Sequence, residues 1–159
     1  MSLFHNTISS PIGPLTTVVD DTGAVTSIHF GEYEPSGSHR SPGRTTAVDS
    51  QLAEYFAGDR KSFDLQLNPK GTEFQKRVWA QLVAIPFGET RSYGQLAAAL
   101  GNPGASRAVG RANATNPIAI VVPCHRVIGT NGTLTGYAGG LSMKEALLDL
   151  ERGVPGRLF

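Results

Sequence analysis

A four-residue break, Asn68-Pro69-Lys70-Gly71, separates two parts of the chain that differ in hydrophobic periodicity. Over residues 62–67 apolar and polar side chains alternate, which is the period of a strand with one buried face. Beyond the break, apolar residues recur every three or four positions, as in amphipathic helices. We therefore predict an α+β protein with an N-terminal domain over 1–67, the linker 68–71 and a C-terminal domain over 72–159.

The N-terminal part is rich in β-forming segments. Residues 15–19 and 25–30 are predicted strands, and Asp20-Asp21-Thr22-Gly23 between them is a turn-forming cluster suited to a hairpin. Residues 31–46 are expected to be mostly loop. Apolar residues then recur at helical spacing and stop before a glycine, which predicts a helix over 47–57.

Three predicted helix starts in the C-terminal part carry a capping box, in which a Ser or Thr is followed three residues later by Glu or Gln. They are Thr72/Gln75, Ser92/Gln95 and Ser142/Glu145.

Two further helices are predicted around the turn Gly101-Asn102-Pro103-Gly104, which indicates a helix-turn-helix. The second of them, over 105–114, consists almost entirely of small residues and arginine. Its long polar side chains are only Arg107, Arg111 and Asn113, too few to read bases in a major groove. Small residues instead suit close approach to the minor groove, with an arginine inserted where a base has left the stack.

This helix also has a purely structural interpretation. Ala108, Gly110 and Ala112 could pack closely on a neighbouring helix while both arginines are solvated.

Charge is distributed unevenly, although the net charge is only +1. Residues 1–66 contain four basic and eight acidic residues, whereas residues 67–159 contain ten basic and five acidic ones. The excess in the second part is compatible with a solvated surface and equally with a phosphate backbone as partner. No apolar stretch approaches membrane-span length and no signal peptide is apparent, so we expect a cytoplasmic protein with no membrane partner.

Cys124 is the single cysteine, so it forms no internal disulfide and is poorly suited to a structural zinc site. The apolar run 118–122 leads into Pro123-Cys124-His125-Arg126-Val127, at the end of a buried segment. Most buried cysteines are small core hydrophobes, and in an extended segment the adjacent histidine points the other way. The local pattern leaves an inert and a reactive thiol both open.

The Pro-Cys-His-Arg-Val motif resembles, without departure, the active-site motif of the O6-alkylguanine-DNA alkyltransferase family. The resemblance covers the C-terminal half, through Tyr93, 107–110, 116–117, 137–140 and 144–151. It implies a small N-terminal domain with a ribonuclease-H-like β-sheet and a helix. It also implies a mostly helical, winged-helix-like C-terminal domain containing the helix-turn-helix.

The same resemblance implies a function. The family transfers the O6-alkyl group of guanine in double-stranded DNA irreversibly to its cysteine, here Cys124, in one turnover, and O4-alkylthymine is the second expected substrate. A series of hydrogen bonds from Glu151 to His125, and through a water to Cys124, would generate the thiolate. Asn116 would organise the active-site turn. Alternatively, Asn116 could be an ordinary turn residue before Pro117.

Further residues would bind the flipped guanine. Tyr93 would donate a hydrogen bond to the guanine ring, and Tyr137 would form a wall of the pocket. Main-chain groups of Val127 and Ala138 would complete the pocket, and Lys144 would assist the departure of guanine. Alternatively, Tyr93 could simply be an aromatic residue at the start of a helix, and Lys144 could be an exposed helix lysine.

Arg107 corresponds to the family's arginine finger, which fills the gap left by the flipped nucleotide. The other predicted DNA-binding positions lie on the same helix: Ala105, Ser106, Ala108, Gly110 and Arg111. The implied assembly state is a monomer in solution, with cooperative assembly on DNA.

Two departures from relatives qualify these expectations. Some family members bind zinc in the N-terminal domain through cysteines and histidines, but this chain has no cysteine there, so we predict no metal and no cofactor. Where some relatives carry serine, this chain has Ala138. It therefore lacks a side-chain hydroxyl for the guanine oxygen, and only the backbone amide can donate to that oxygen.

Three other functions fit parts of the pattern: a module that flips and flags alkylguanine without transfer, a helix-turn-helix transcription regulator, and a cysteine hydrolase with a Cys-His-Glu triad. Cys124 argues against the first and the Ala/Gly helix against the second. Repair that stops near one equivalent per protein would exclude the third.

Overall fold

The computed structural model describes residues 2–129, 131–137 and 139–154. It is a mixed α+β structure with two compact units. Of the described residues, unit 1 contains those up to Lys70 and Pro117–Ala119, and unit 2 contains Gly71–Asn116 and those from Ile120 to Val154. Within the described ranges, no helix has both the length and the apolar character needed to cross a bilayer.

Unit 1 contains a four-stranded sheet formed by β1 (Leu3–Ile8), β2 (Leu15–Asp20), β3 (Val25–Phe30) and β4 (Ser38–Arg40). The strand order is β3-β2-β1-β4, with β2 antiparallel to both neighbours and β4 parallel to β1. Every residue of the central strand β2 is buried. The predicted hairpin of β2 and β3 is confirmed, because its turn is closed by the Asp20 carboxylate, which accepts hydrogen bonds from the backbone of Thr22 and Ala24.

The predicted helix over 47–57 is confirmed as α1 (Thr46–Phe56), which buries Val48, Leu52, Tyr55 and Phe56 along one face. Asp49 on α1 connects this helix to two strands. Its carboxylate accepts hydrogen bonds from Asn6 on β1 at 3.0 Å, from Thr17 on β2 at 2.6 Å and from Thr45 before α1 at 2.7 Å.

One expectation for unit 1 was wrong. The alternation over 62–67 does not form a regular strand, because only Val25 pairs with it, through a single parallel bridge to Leu67. The stretch 31–46 is mostly loop, as expected, and β4 within it pairs with β1 over three residues. Both β1 and β4 have weak alternation, so their pairing partner rather than local sequence defines them as strands.

Pro117–Ala119 was expected within the C-terminal domain 72–159 but belongs to unit 1. The Ile28 amide donates to the Pro117 carbonyl at 2.9 Å, so the segment runs beside β3. The division into 1–67, 68–71 and 72–159 otherwise stays a prediction.

Unit 2 is mostly helical. Its helices are α2 (Glu73–Val83), α3 (Tyr93–Ala99), α4 (Ser106–Ala114) and α5 (Leu141–Arg152), and a two-stranded parallel sheet joins β5 (Arg91–Ser92) to β6 (Val127–Ile128). The capping boxes Thr72/Gln75 and Ser92/Gln95 are both formed.

The third predicted capping box, Ser142/Glu145, is wrong. Helix α5 begins at Leu141, and Gly140 with φ of 95° is its N-cap. Ser142 therefore already lies inside the first turn, where its hydroxyl is not in the position to cap the helix.

Helices α3 and α4 are joined by a short turn that includes the 3₁₀ segment Pro103–Ala105. The indole of Trp79 on α2 donates to the Ala112 carbonyl on α4 at 2.8 Å, and both residues are buried. This hydrogen bond fixes α4 against α2.

We predict that Asp49→Ala destabilises the protein by about 3 kcal/mol, because the Thr17 and Thr45 hydroxyls lose their shared acceptor in a buried setting. Urea denaturation followed by circular dichroism measures the effect. Asp21→Ala, at an exposed turn position, is the matched control and should change stability by less than about 0.5 kcal/mol. Equal stability of the two variants would contradict the prediction.

Candidate active site

Cys124 opens a 3₁₀ turn, Cys124–Arg126, that directly precedes β6. The extended approach expected from the apolar run is wrong, because residues 119–122 form a turn in which Ile120 has the left-handed φ of 71°. The Val122 carbonyl accepts from the Cys124 amide and from the Asn116 side chain, each at 2.8 Å. Asn116 thus bonds across the turn that presents the thiol.

The Cys124 thiol is enclosed, with 7% of the residue exposed. Burial raises the pKa of this thiol, and hydrogen bonds from Asn116 and Tyr137 and the positive charge of Lys144 oppose that effect without cancelling it. A nearby base would therefore be needed to hold the sulfur as a thiolate.

His125 supplies a base of suitable orientation. Its Nε2 lies 2.6 Å from Glu151 Oε2, and neither side chain is exposed. Burial raises the pKa of Glu151, but the hydrogen bonds and charges of His125 and Arg126 outweigh it and hold that pKa at about 2. Burial lowers the pKa of His125, an effect that Glu151 opposes.

These two pKa shifts indicate how Glu151 and His125 are protonated. An ionised Glu151 can only accept, so Nε2 of the neutral imidazole carries the proton and Nδ1 carries the free lone pair. Nδ1 is buried, and the described part of the chain offers it no hydrogen-bond partner. His125 is thus prepared to accept a proton at Nδ1.

Arg126 is a buried member of the site that the sequence did not single out. Its Nε and Nη2 donate to Glu151 Oε1 and Oε2 at 2.7 and 3.0 Å, and its Nη1 donates to the Ile85 carbonyl at 2.7 Å. The usable signal was its place within the motif, beside the histidine.

Lys144 is buried, so the alternative of an exposed helix lysine is wrong. Its ammonium donates to the carbonyls of Val127 at 2.5 Å and Thr135 at 3.3 Å. Burial lowers the pKa of Lys144. The lysine joins α5 to β6, the strand that follows the turn of Cys124.

The residues predicted to bind guanine converge in part. The Tyr93 hydroxyl lies 2.6 Å from the Thr135 hydroxyl, and Tyr137 is close enough to Cys124 to influence its pKa. Burial raises the pKa of Tyr137 well above its usual value. Ala138, the other predicted pocket residue, lies outside the described residues.

The predicted DNA-binding residues of α4 are exposed or half-buried, and the opposite face of the helix is buried. Arg107 and Arg111 are exposed, whereas Ala105, Ser106, Ala108 and Gly110 are half-buried. Gly110 lies against the Tyr93 ring, and a Cβ added there would be 3.8 Å from it. The structural interpretation thus holds for Gly110 and the buried Ala112, together with solvated arginines.

Asn113 was expected among the long polar side chains that α4 presents to DNA, but it points inward instead. It is 5% exposed, and its amide donates to the Cys124 carbonyl at 3.4 Å. It is a neighbour of Cys124 that sequence patterning assigned to the wrong face.

Comparison with known proteins identifies the family of this chain. The family model described as the DNA-binding domain of 6-O-methylguanine DNA methyltransferase matches residues 73–153. A methylated-DNA–protein-cysteine methyltransferase of Mycobacterium tuberculosis is 53% identical over 154 residues, covering 94% of this chain and 93% of the relative. The chain belongs to this family.

Other members of the methyltransferase family agree. The Methanosarcina acetivorans protein of the same name is 51% identical, with 94% of this chain and 98% of the relative covered. The crystal structure of Mycobacterium tuberculosis OGT in complex with DNA superposes with a TM-score of 0.89 at 51% identity, covering 94% of this chain and 93% of that one. The matched family region includes every predicted site residue from Tyr93 to Glu151.

The buried carboxylate of this methyltransferase predicts a pH-dependent stability. The pKa of Glu151 falls from 4.5 to about 2 on folding, so its stabilising contribution is complete above pH 4.5 and is lost as the pH falls toward 2. We expect the free energy of unfolding of wild type to exceed that of Glu151→Gln by about 3 kcal/mol at pH 7. The difference should narrow below pH 4.5, as measured by urea denaturation. A gap independent of pH would contradict this interpretation.

Proposed function

We propose that this chain repairs alkylated DNA by transferring the O6-alkyl group of guanine to Cys124 in a single irreversible turnover. The observation that carries the proposal is the buried hydrogen bond between Glu151 and neutral His125. His125 lies on the same turn as the chain's single cysteine. Relatives named as methylated-DNA–protein-cysteine methyltransferases support it.

The chemistry follows from the protonation states. His125 Nδ1 receives the thiol proton through a bridging water, and Glu151 stabilises the imidazolium that forms. The Cys124 sulfur attacks the alkyl carbon, a C–S bond forms, and the C–O bond breaks with its electron pair left on guanine. The thioether has no carbonyl for water to attack, so the cysteine is consumed.

The departing guanine takes up a proton to become neutral. Tyr93 is the proposed donor to its ring, and the 2.6 Å contact with Thr135 places the Tyr93 hydroxyl in a defined position. The Lys144 charge favours both the thiolate and the developing guanine anion. Tyr137 forms a wall, and the main chain of Val127 and Ala138 completes the proposed pocket.

We place DNA on the α3–α4 helix-turn-helix, with α4 at the minor groove and Arg107 filling the gap left by the flipped nucleotide. Exposed Arg107 and Arg111 on a helix of small residues support this arrangement. The Mycobacterium tuberculosis relative was crystallised with DNA. Binding as a monomer that assembles cooperatively on DNA, and activity on O4-alkylthymine, complete the proposal.

The finer fold assignment belongs to the same proposal. A ribonuclease-H-like sheet fits the β3-β2-β1-β4 order with a parallel β1–β4 pair and one helix in unit 1. A winged-helix-like arrangement fits α2, α3 and α4 with the small β5–β6 sheet in unit 2.

Single-turnover transfer predicts that excess DNA containing O6-methylguanine adds one methyl group to the Cys124 peptide and that repair then stops near one equivalent per protein. Mass spectrometry of the digested protein and counting of repaired guanine measure the two quantities. Cys124→Ala should abolish transfer and leave binding to the same DNA largely intact. Continued turnover by wild type, or damage binding without an adduct, would contradict the proposal.

The arginine-finger assignment predicts different effects for two exposed arginines on the same helix. Arg107→Ala should slow methyl transfer at saturating protein by about tenfold or more, because a flipped base loses the side chain that fills its gap. Arg111→Ala, the matched variant, should weaken DNA binding but leave the saturated rate nearly unchanged, as expected for a phosphate contact. Single-turnover rates measured over a range of protein concentrations separate the two effects. Equal saturated rates for both variants would contradict the assignment.

A further inference from the structure

The hydroxyl groups of Tyr93 and Thr135 form a pair near the turn of Cys124. Tyr93 directly follows β5, Thr135 lies on the loop between β6 and α5, and β6 directly follows that turn. Because β5 and β6 pair in parallel, Tyr93 begins its helix next to the strand that leaves the turn. The two hydroxyl oxygens are 2.6 Å apart. Both residues are half-buried, so a substrate can reach the pair.

Both side chains are held in place by their surroundings. Tyr93 is the first residue of α3, whose capping box is formed, and its ring lies against Gly110 of α4. Thr135 is β-branched, which restricts its side-chain rotamers, and its backbone carbonyl accepts a hydrogen bond from Lys144 at 3.3 Å. The positions of the two hydroxyl oxygens are therefore defined before a substrate binds.

The pair leaves one hydroxyl proton available. Each hydroxyl can donate one hydrogen bond, and the contact between them uses one of the two protons. Within the described part of the chain, neither hydroxyl has another hydrogen-bond partner. A hydroxyl proton rotates about its C–O bond, so donor and acceptor can exchange while the oxygens stay in place. When Thr135 donates, the Tyr93 proton is free to point at a ligand.

A departing guanine needs such a proton. When the bond between the alkyl carbon and O6 breaks, its electron pair stays on the guanine, and the ring nitrogens share the negative charge. Transfer of the Tyr93 hydroxyl proton neutralises the guanine and leaves the charge on the phenolic oxygen, which later regains a proton from water. A hydrogen bond to a charged oxygen is roughly twice as strong as one to a neutral oxygen. Donation by Thr135 therefore favours the transfer.

We propose that Thr135 is a positioning residue for alkyl transfer: its hydroxyl donates to the Tyr93 oxygen, directs the Tyr93 proton toward the departing guanine and stabilises the charge that remains on Tyr93. The inference rests on the proposed transfer to Cys124, with Tyr93 as the proton donor. The alternative is that the contact only ties the loop to α3. A tie of that kind would affect the loop but not the departure of guanine.

The test compares methyl transfer under single-turnover conditions at saturating protein. Valine has the shape of threonine without its hydroxyl, so we expect Thr135→Val to lower the saturated rate about fivefold to tenfold and to leave the Kd for the DNA nearly unchanged. Thr135→Ser keeps the hydroxyl and should recover most of the rate. Thr133→Val, the matched control, removes an exposed hydroxyl that bonds to Asn131 on the same loop and should leave the saturated rate unchanged.

Two further measurements separate assistance to the guanine from damage to the site. In the Tyr93→Phe background, Thr135→Val should cause no further loss, because Thr135 acts through the phenolic oxygen. Alkylation of Cys124 by iodoacetamide releases iodide, which needs no proton donor. Its rate should therefore be the same in wild type and Thr135→Val.

Equal saturated rates for wild type and Thr135→Val would overturn the inference. It would also be overturned by an equal loss in the Tyr93→Phe background, by the same loss in Thr133→Val, or by a parallel fall in the iodoacetamide rate, since each indicates a purely structural contact. Failure of the proposed function is distinguishable from these outcomes, because wild type itself would then transfer no methyl group to Cys124.

Discussion

The buried carboxylate of Glu151 is the interaction on which the proposed chemistry and much of unit 2 depend. It accepts hydrogen bonds from His125 and Arg126, and Arg126 in turn holds the Ile85 carbonyl just beyond α2. Through Arg126, one side chain on α5 therefore links the turn of Cys124 to the segment that follows α2. A buried charge of this kind is stable only when its partners are complete, so the proposed catalytic geometry and the folding of the unit share the same contacts.

Local chemistry in the sequence predicted the elements whose causes are local. The hairpin turn at Asp20 and the capping boxes at Thr72 and Ser92 formed as expected, since each depends on hydrogen bonds spanning a few residues. One local prediction failed, the capping box at Ser142, because α5 already begins at Leu141. The other differences lie where a distant partner decides. The strand β4 exists because β1 lies beside it, and the alternation near Leu67 meets only one partner residue.

The site divides in the same way. The motif around Cys124 and the family resemblance led to His125 and Glu151, but periodicity could not reveal that Arg126 shares Glu151 or that Asn113 faces inward. A lysine on an amphipathic helix is usually solvated, and nothing local to Lys144 indicates that two carbonyls surround it. Such residues are recognised only when tertiary contacts are known, because a polar side chain is buried by the partners it finds.

The turn before Cys124 has a further consequence for how rigidity is achieved. Ile120 adopts a left-handed backbone conformation that a β-branched residue rarely occupies, yet its side chain is 1% exposed. Glycine at this position would relax the backbone but give up a buried side chain and gain conformational freedom in the unfolded chain. The shape of the turn is therefore maintained by hydrophobic packing against the intrinsic preference of its backbone, so its precision is tied to the density of the surrounding core.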